Sequence, residues 1–196
     1  MMKFSWGKIP HNPDFDPVAQ GWIAIKEPSP WLSQLMGLPL GVLAFVFLGI
    51  AWMYFTPVEV LAGNVGFSAI GWVLGCAILH ELIHAVLHPA SDTGSDSILG
   101  FWPSRVLFYA HYDGVLSKQR LLVIIIGPFI VLSLVPLVIC AVFKHASSAM
   151  FALSLLNSLI ASVDLIFFLL IIIQVPSGAT LQNNGWKTYY RMADSS

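Results

Sequence analysis

Charge is what this chain has least of. Only 10% of its 196 residues are Asp, Glu, Lys or Arg, against 57% hydrophobic residues and a mean hydropathy of +0.80. A water-soluble globular domain carries about 25% charged residues, so the deficit excludes an ordinary soluble domain and points to an integral membrane protein. Neither sign of charge dominates. The net charge is −1, which provides no basic surface for nucleic acid, and no such partner is expected. Cysteine is nearly absent too: Cys76 and Cys140 both fall in apolar runs and read as small packing residues rather than a disulfide framework. The segment Met1 to Gln20 is polar and proline-rich and lacks the apolar core of a cleavable signal peptide. The first apolar run is therefore expected to act as its own insertion signal. No internal repeat or low-complexity tract is evident, and the length suits one compact domain.

What the chain has in abundance is long apolar runs. Four are legible, at Leu38–Phe55, Val65–Leu87, Leu121–Phe143 and Met150–Val175. Each reaches or approaches the roughly 20 residues that a helix needs to cross a bilayer. Pro128 and Pro136 are expected to kink the third run, which membrane bundles tolerate. Between the second and third runs, Ser97–Trp102, the pair Pro103-Ser104 and Arg105–His111 read as strand, turn, strand. This apolar hairpin is expected to rest on the helices or dip into the membrane interface. The predicted fold class is thus an all-α polytopic membrane protein with four transmembrane helices and one small β-hairpin. The predicted organisation is an N-terminal segment 1–37, a four-helix membrane domain 38–175 and a tail 176–196. A short interfacial helix is expected between Lys26 and Pro39, with Trp22 and Trp31 as headgroup anchors. Gly71 and Gly75 form a small-xxx-small pattern that predicts close approach of a neighbouring helix, and Ser154, Ser158 and Ser162 read as small packing residues. All Lys and Arg except Lys144 lie before the first run, between the second and third, or after the fourth. By the positive-inside rule both termini and the 89–120 loop are cytoplasmic, and the connections Thr56–Asn64 and Lys144–Ala149 face outward.

Inside the second run stands His80-Glu81-Leu82-Ile83-His84, the pattern H-E-x-x-H. Positions i and i+4 share a helix face, so His80 and His84 can present two imidazoles to one zinc ion. Glu81 then stands beside the metal as general base for a water molecule. Ionised groups at mid-span cost about 2.5–3.5 kcal/mol each on insertion scales. Three ionisable residues within five positions therefore need a compensating role, and a metal site supplies one.

A catalytic zinc takes three protein ligands and keeps a fourth position open. Depth ranks the candidates for the third. His80 lies about 22 Å along the second run from its outer end, and Asp164 about 21 Å along the fourth, which runs in the same direction. Asp164 is also the one charged residue of its run, so it is the favoured ligand. His88 continues the ladder from His84, but three imidazoles at successive i, i+4 positions span about 12 Å along a helix and cannot meet at one ion. A role in supporting the ligands from behind or at the site's entrance is what remains for His88, which precedes Pro89. His111 ends the hairpin and His145 lies in an outward connection. Asn157, two turns before Asp164, either hydrogen-bonds within the site or joins helices.

The ordered set of His80-Glu81-Leu82-Ile83-His84, Phe108-Tyr109-Ala110-His111, Gly127-Pro128-Phe129-Ile130, Asn157 through Asp164, and Gln174-Val175-Pro176-Ser177-Gly178 resembles the site-2-protease-type intramembrane zinc metalloproteases. More closely it is similar to the DUF3267 group of membrane zincin peptidases. The likeness covers most of the chain from about residue 20 onward. It implies one zinc per chain, held by His80, His84 and Asp164, with Glu81 as base. The leading expectation is a membrane-embedded zinc endopeptidase acting on peptide or transmembrane protein substrates, in the plasma (inner) membrane of a bacterium. Asn157, His88 and His111 are candidates for the surrounding shell or for substrate contact. A non-catalytic zinc-binding scaffold or regulator is the alternative, and a transporter is disfavoured because four spans offer no symmetric pathway.

Overall fold

The computed structural model describes residues 2–63, 68–89 and 97–192. The start of the expected second span at Val65–Phe67, the residue Asn64 of the first outward connection, the 90–96 stretch of the long loop and the last residues of the tail lie outside them.

Three helices are long and apolar enough to cross a membrane: α1 (Pro30–Phe55), α3 (Ala69–Leu87) and the segment Lys118–Phe143. The last of these comprises α4 (Lys118–Pro128), a π-helical stretch (Phe129–Leu134) and α5 (Val135–Phe143). A fourth crossing is made by α6 (Ser148–Ile160) and α7 (Ser162–Gln174) if that pair, bent by 52° at Ala161, counts as one span. A one-turn helix, α2 (Val58–Leu61), follows α1. Large apolar side chains such as Phe47, Ile50 and Ile70 point outward, an arrangement stable against lipid and not against water.

The expected all-α fold is overturned. Two sheets flank the helices, one of three strands in the order β1-β3-β4 and one of four in the order β2-β7-β6-β5. The hairpin is there as β3 (Ser97–Trp102) and β4 (Leu107–Tyr112), joined by a 3-10 turn at Pro103–Arg105. What the pattern of the sequence hid is that β1 (Met2–Trp6) adds to it in parallel, Met2 opposite Ser97 and Trp6 opposite Phe101. The second sheet is assembled from the chain ends. The tail forms a hairpin, β6 (Ala179–Asn184) and β7 (Lys187–Met192), flanked by β2 (Ile23–Ala24) and β5 (Leu116–Ser117). Apart from the β6–β7 hairpin these pairings are long-range, so no local periodicity announces them. The hairpin turn does carry a signal. Gly185 holds φ 61 at the first position of the two-residue turn between Asn184 and Lys187, where glycine avoids a Cβ clash.

The interfacial segment also differs from expectation. No separate short helix forms before the first span, because α1 starts at Pro30, a residue suited to the first helical turn. Trp31 is exposed, but Trp22 is buried, ringed by Phe15 and with the Arg191 guanidinium over its face.

Two apolar cores hold these layers together. One joins the second sheet to the helices through Ile25, Tyr112, Leu121, Ile124, Ile171 and Leu181. Burying a side chain such as Leu181 contributes about 1.5–3 kcal/mol, which keeps the tail folded back on the bundle. The other core, Leu48, Trp52, Cys140 and Leu155, lies among the helices. Both cysteines are free and buried, as packing residues should be. Close helix approach occurs at Gly37 and Gly41 on α1, where an added Cβ would lie 2.7 Å from the Ser162 carbonyl oxygen and 2.8 Å from the Ser162 Cβ. The motif helix uses no such contact at Gly75, where a Cβ would meet nothing within 4 Å.

Candidate metal centre

Helix α3 starts at Ser68, whose hydroxyl accepts the Gly71 N–H, and it stays regular to Leu87. Its end is tied down by Arg120, which donates to the Leu87 carbonyl. Regularity over this stretch puts His80 and His84 on one buried face. Their Nε2 atoms lie 3.1 Å apart. Asp164 Oδ2 is 2.7 Å from His80 Nε2 and 3.4 Å from His84 Nε2. The three side chains are a group able to hold a metal ion, with their ligand atoms within 4.8 Å of one another.

Hydrogen bonds behind the rings fix which nitrogen carries the proton. His84 Nδ1 is 2.8 Å from the carbonyl oxygen of Ile124. A carbonyl only accepts, so Nδ1–H donates and Nε2 is the nitrogen turned to the cluster. In a regular helix that carbonyl would bond the N–H four residues on, but this residue is Pro128, which has none. The proline thus frees an acceptor at the place where His84 needs one. His80 Nδ1 is 2.9 Å from Asn157 Oδ1. The Asn157 amide nitrogen donates to the Pro128 carbonyl and to Ser133 Oγ, so its orientation is set and Oδ1 must accept. His80 is therefore also protonated on Nδ1. Ser133 belongs to the π-helical stretch, and its carbonyl accepts from Ser154, which in turn accepts the Trp52 indole N–H.

Asp164 is placed by the bend at Ala161. As part of the first turn of α7, its carboxylate sits near the positive end of that helix. The Gly37 and Gly41 approach packs α1 against the bend.

Two Nε2 atoms and a carboxylate oxygen converge on one point. With Nδ1 engaged on both rings, the Nε2 atoms and the carboxylate are the donors turned toward any cation held between them. Two imidazole nitrogens and one carboxylate oxygen are a donor set that catalytic zinc uses, leaving one position open, and the buried hydrogen-bonded Nδ1 positions are the outer support that such ligands require. The residues fit zinc.

Glu81 is on the same turn as His80, and its carboxylate accepts the Ala110 backbone N–H of β4. Both line a cavity of about 500 Å³ that runs from the histidines between α3, β4, α7 and the tip of the β6–β7 hairpin. Its walls are mainly apolar, with Val73, Leu74, Leu107, Phe108 and Ile160 among them, and Trp186 and Thr188 close it from the hairpin side. Trp186 is held by an edge contact with Phe167, 5.4 Å between centroids, and by its indole N–H on the Pro28 carbonyl.

A model of the family described as "Putative zincin peptidase" (DUF3267) matches residues 73–180. The chain belongs to this family. The matched stretch takes in most of α3, the β3–β4 hairpin and α4 to α7, while β1, β2, α1, α2 and β7 lie outside it. No curated protein and no solved structure matches the chain. For this zincin-family chain a zinc centre follows at the level of the family, and His80, His84 and Asp164 are the residues placed to form it.

The remaining candidates divide. Asn157 touches His80 directly. His88 does not reach the cluster: it ends α3, bonds Ser97 Oγ at 2.7 Å, leans on Tyr112 and lines the cavity. His111 lines the cavity from β4. Burial pushes the imidazoles of His88 and His111 down to about 4, so both are neutral near pH 7. Nothing in the sequence alone singles out the roles of Ser133, Trp186 and Thr188. For the Ile124 carbonyl the available signal is Pro128, since a proline always frees the carbonyl four residues before it.

Proposed function

We propose that this chain is a membrane-embedded zinc metalloendopeptidase that cleaves peptide bonds of membrane or membrane-proximal substrates. The observation that carries the reading is the convergence of two fixed imidazole nitrogens and the Asp164 carboxylate beside Glu81, at the end of a mainly apolar cavity. Zinc held there would supply Lewis acidity, polarising the scissile carbonyl and lowering the pKa of an attacking water. Glu81 takes one proton from that water and delivers it to the nitrogen of the leaving amine, so one water is divided across the broken C–N bond. The Ala110 N–H helps hold the Glu81 carboxylate in place. Asn157 and Ile124 keep His80 and His84 in the tautomer that ligates.

The position of β4 supports a peptide as substrate. It is the outer strand of its sheet, so an extended peptide can add to its free edge alongside Glu81. The lining at Val73, Leu74, Leu107 and Phe108 favours apolar side chains in that peptide. The Lys and Arg distribution assigns the site to the cytoplasmic half of the membrane.

The test is Glu81→Gln in the full chain in nanodiscs, using a library of quenched-fluorescent apolar peptides. The variant should retain about one zinc per chain while cleavage falls by at least about 100-fold. Undiminished cleavage by Glu81→Gln would reject Glu81 as the base. A zinc-loaded wild type that cuts nothing would favour a non-catalytic zinc-binding scaffold.

A further inference from the structure

The three-stranded sheet has two faces of different character. Register puts Met2, Phe4 and Trp6 of β1 on the same face as Leu99 and Phe101 of β3 and Phe108, Ala110 and Tyr112 of β4. Lys3 and Ser5 alternate onto the other face. The first face is the one turned toward the membrane helices: the Ala110 backbone meets Glu81, and Tyr112 meets His88 and the α4 core. The opposite face is covered by the segment after β1, where the Tyr109 hydroxyl donates to the Lys8 carbonyl.

An aromatic row crosses the helix-facing side. Trp6 packs edge-on against Phe101 at 5.5 Å, and Phe101 lies 4.6 Å from Phe108, which lines the metal cavity. At the β4 end this row rests on protein. At the β1 end it does not: Met2, Phe4 and Trp6 are 50%, 72% and 71% exposed. The same sheet is anchored near the start of α1, since Gln34 donates to the Arg105 carbonyl and the Arg105 guanidinium stands 5.7 Å from both the Trp31 and Trp102 rings. Glu81, where β4 touches α3, lies about 9 Å along the helix from Leu87. The exposed apolar flank of α3 at Ile78, Leu82 and Val86 must face lipid once α3 spans the bilayer.

We propose that β1 is a lipid-binding strand: it lies along the membrane interface on the side that carries both sheets, with Met2, Phe4 and Trp6 inserted among the acyl chains and headgroups. The occupant of this face is lipid because the face is the one turned toward the membrane helices, leaves Met2, Phe4 and Trp6 exposed there, and has Arg105 with Trp31 and Trp102 beside it, the make-up of an interfacial element. The outer backbone edge of β1 needs hydrogen-bond partners, which headgroups and interfacial water supply and hydrocarbon does not. This fixes β1 at the boundary rather than deeper. The aromatic row then runs from the bilayer to the cavity roof, so the strand also seals that roof against lipid.

The experiment uses the full chain in phosphatidylcholine vesicles, with a fluorophore on single exposed cysteines at Trp6→Cys, Phe4→Cys and Ser5→Cys. Phe47→Cys on the outward face of α1 reports insertion itself. Nitroxide on the upper acyl chain should quench the labels at 4 and 6 at least about twofold more than the label at 5, with the reverse order for aqueous iodide. Lipid quenching at 47 without preference at 4 and 6 would overturn the proposal. Protection from iodide at 4 and 6 without lipid quenching would also overturn it, assigning the face to a second copy of the chain. No quenching at 47 would reject membrane insertion, on which the proposal depends, while leaving the zinc chemistry to its own test.

Discussion

His84 Nδ1 lies 2.8 Å from the carbonyl oxygen of Ile124, an oxygen that the proline at position 128 leaves without its helical partner. Helix geometry in the third span thus places the Nδ1 proton of a candidate metal ligand in the second. Pro128→Ala would restore an N–H able to close the helical bond and compete for the carbonyl. Zinc affinity should fall about 10–100-fold, the usual loss when a ligand's hydrogen-bonded support is removed. Competition against a fluorescent chelator measures it. The metal-free protein should unfold no more easily than wild type, since a proline inside a helix is replaced by a helix former. Unchanged zinc affinity would show that His84 does not depend on this acceptor.

Asn157 serves His80 as Ile124 serves His84, and it also satisfies the Pro128 carbonyl and the Ser133 hydroxyl. Asn157→Leu should weaken zinc binding by the same order, about 10–100-fold. It should also cost about 1–3 kcal/mol of stability, because buried acceptors lose their donor. Asp164→Ala removes a proposed ligand itself, so zinc retained after gel filtration should drop from about one per chain to background. If Asp164→Ala kept its zinc, the third ligand would lie elsewhere.

At Gly37 a methyl group would sit 2.7 Å from the Ser162 carbonyl oxygen, and the obstacle is backbone. Gly37→Ala should therefore push α1 from the bend that carries Asp164. The expected cost is about 1–3 kcal/mol, as for overpacking elsewhere, with faster zinc loss to chelator. Gly49→Ala, on the same helix with nothing within 4 Å, is the control and should leave both unchanged.

Glu27 lies where the strand before α1 meets the tail. One carboxylate oxygen accepts the Thr188 N–H, the other is buried without a partner among the described residues, and burial raises its pKa to about 7. The folded state therefore holds this proton more tightly than the unfolded chain. Stability from this group is complete below about pH 4.5, falls as pH rises from there to about 7, and is flat above. The fall should amount to roughly 3 kcal/mol. Thermal unfolding across that window should follow it, and Glu27→Gln should flatten the profile. A slope that persists in Glu27→Gln would locate the titration at another group.

Much of the site could be read from the chain because its signals are local or are penalties. H-E-x-x-H needs only helix geometry to put His80 and His84 on one face, and a carboxylate alone in an apolar run, Asp164, needs a partner. The matching depth along two helices was enough to pair them. The supports were harder to see. Asn157 stood two turns from Asp164 with two roles open, and the structure shows it filling both. The Ile124 carbonyl carries no side-chain signal at all. The bend at Ala161 contains neither proline nor glycine, so the fourth run read as one straight helix.

The sheets mark the largest departure. The Ser97–Trp102 and Leu107–Tyr112 hairpin is local, and its Pro103 turn gave it away. The strands β1 and β2 pair with segments distant in sequence, and the alternation of these and of β7 is too short to be told from polar chain.

By itself, then, the sequence determined that this chain belongs in a bilayer and that one helix carries two imidazoles and a glutamate on adjoining faces, because hydropathy and helical period act within single segments. Only the tertiary structure decided that a proline-freed carbonyl and one asparagine fix both histidine tautomers, that a bend delivers Asp164 within 3.4 Å of both rings, and that strands from the chain ends wall the cavity. Those outcomes depend on which segments pack together, and packing is a property of the folded whole.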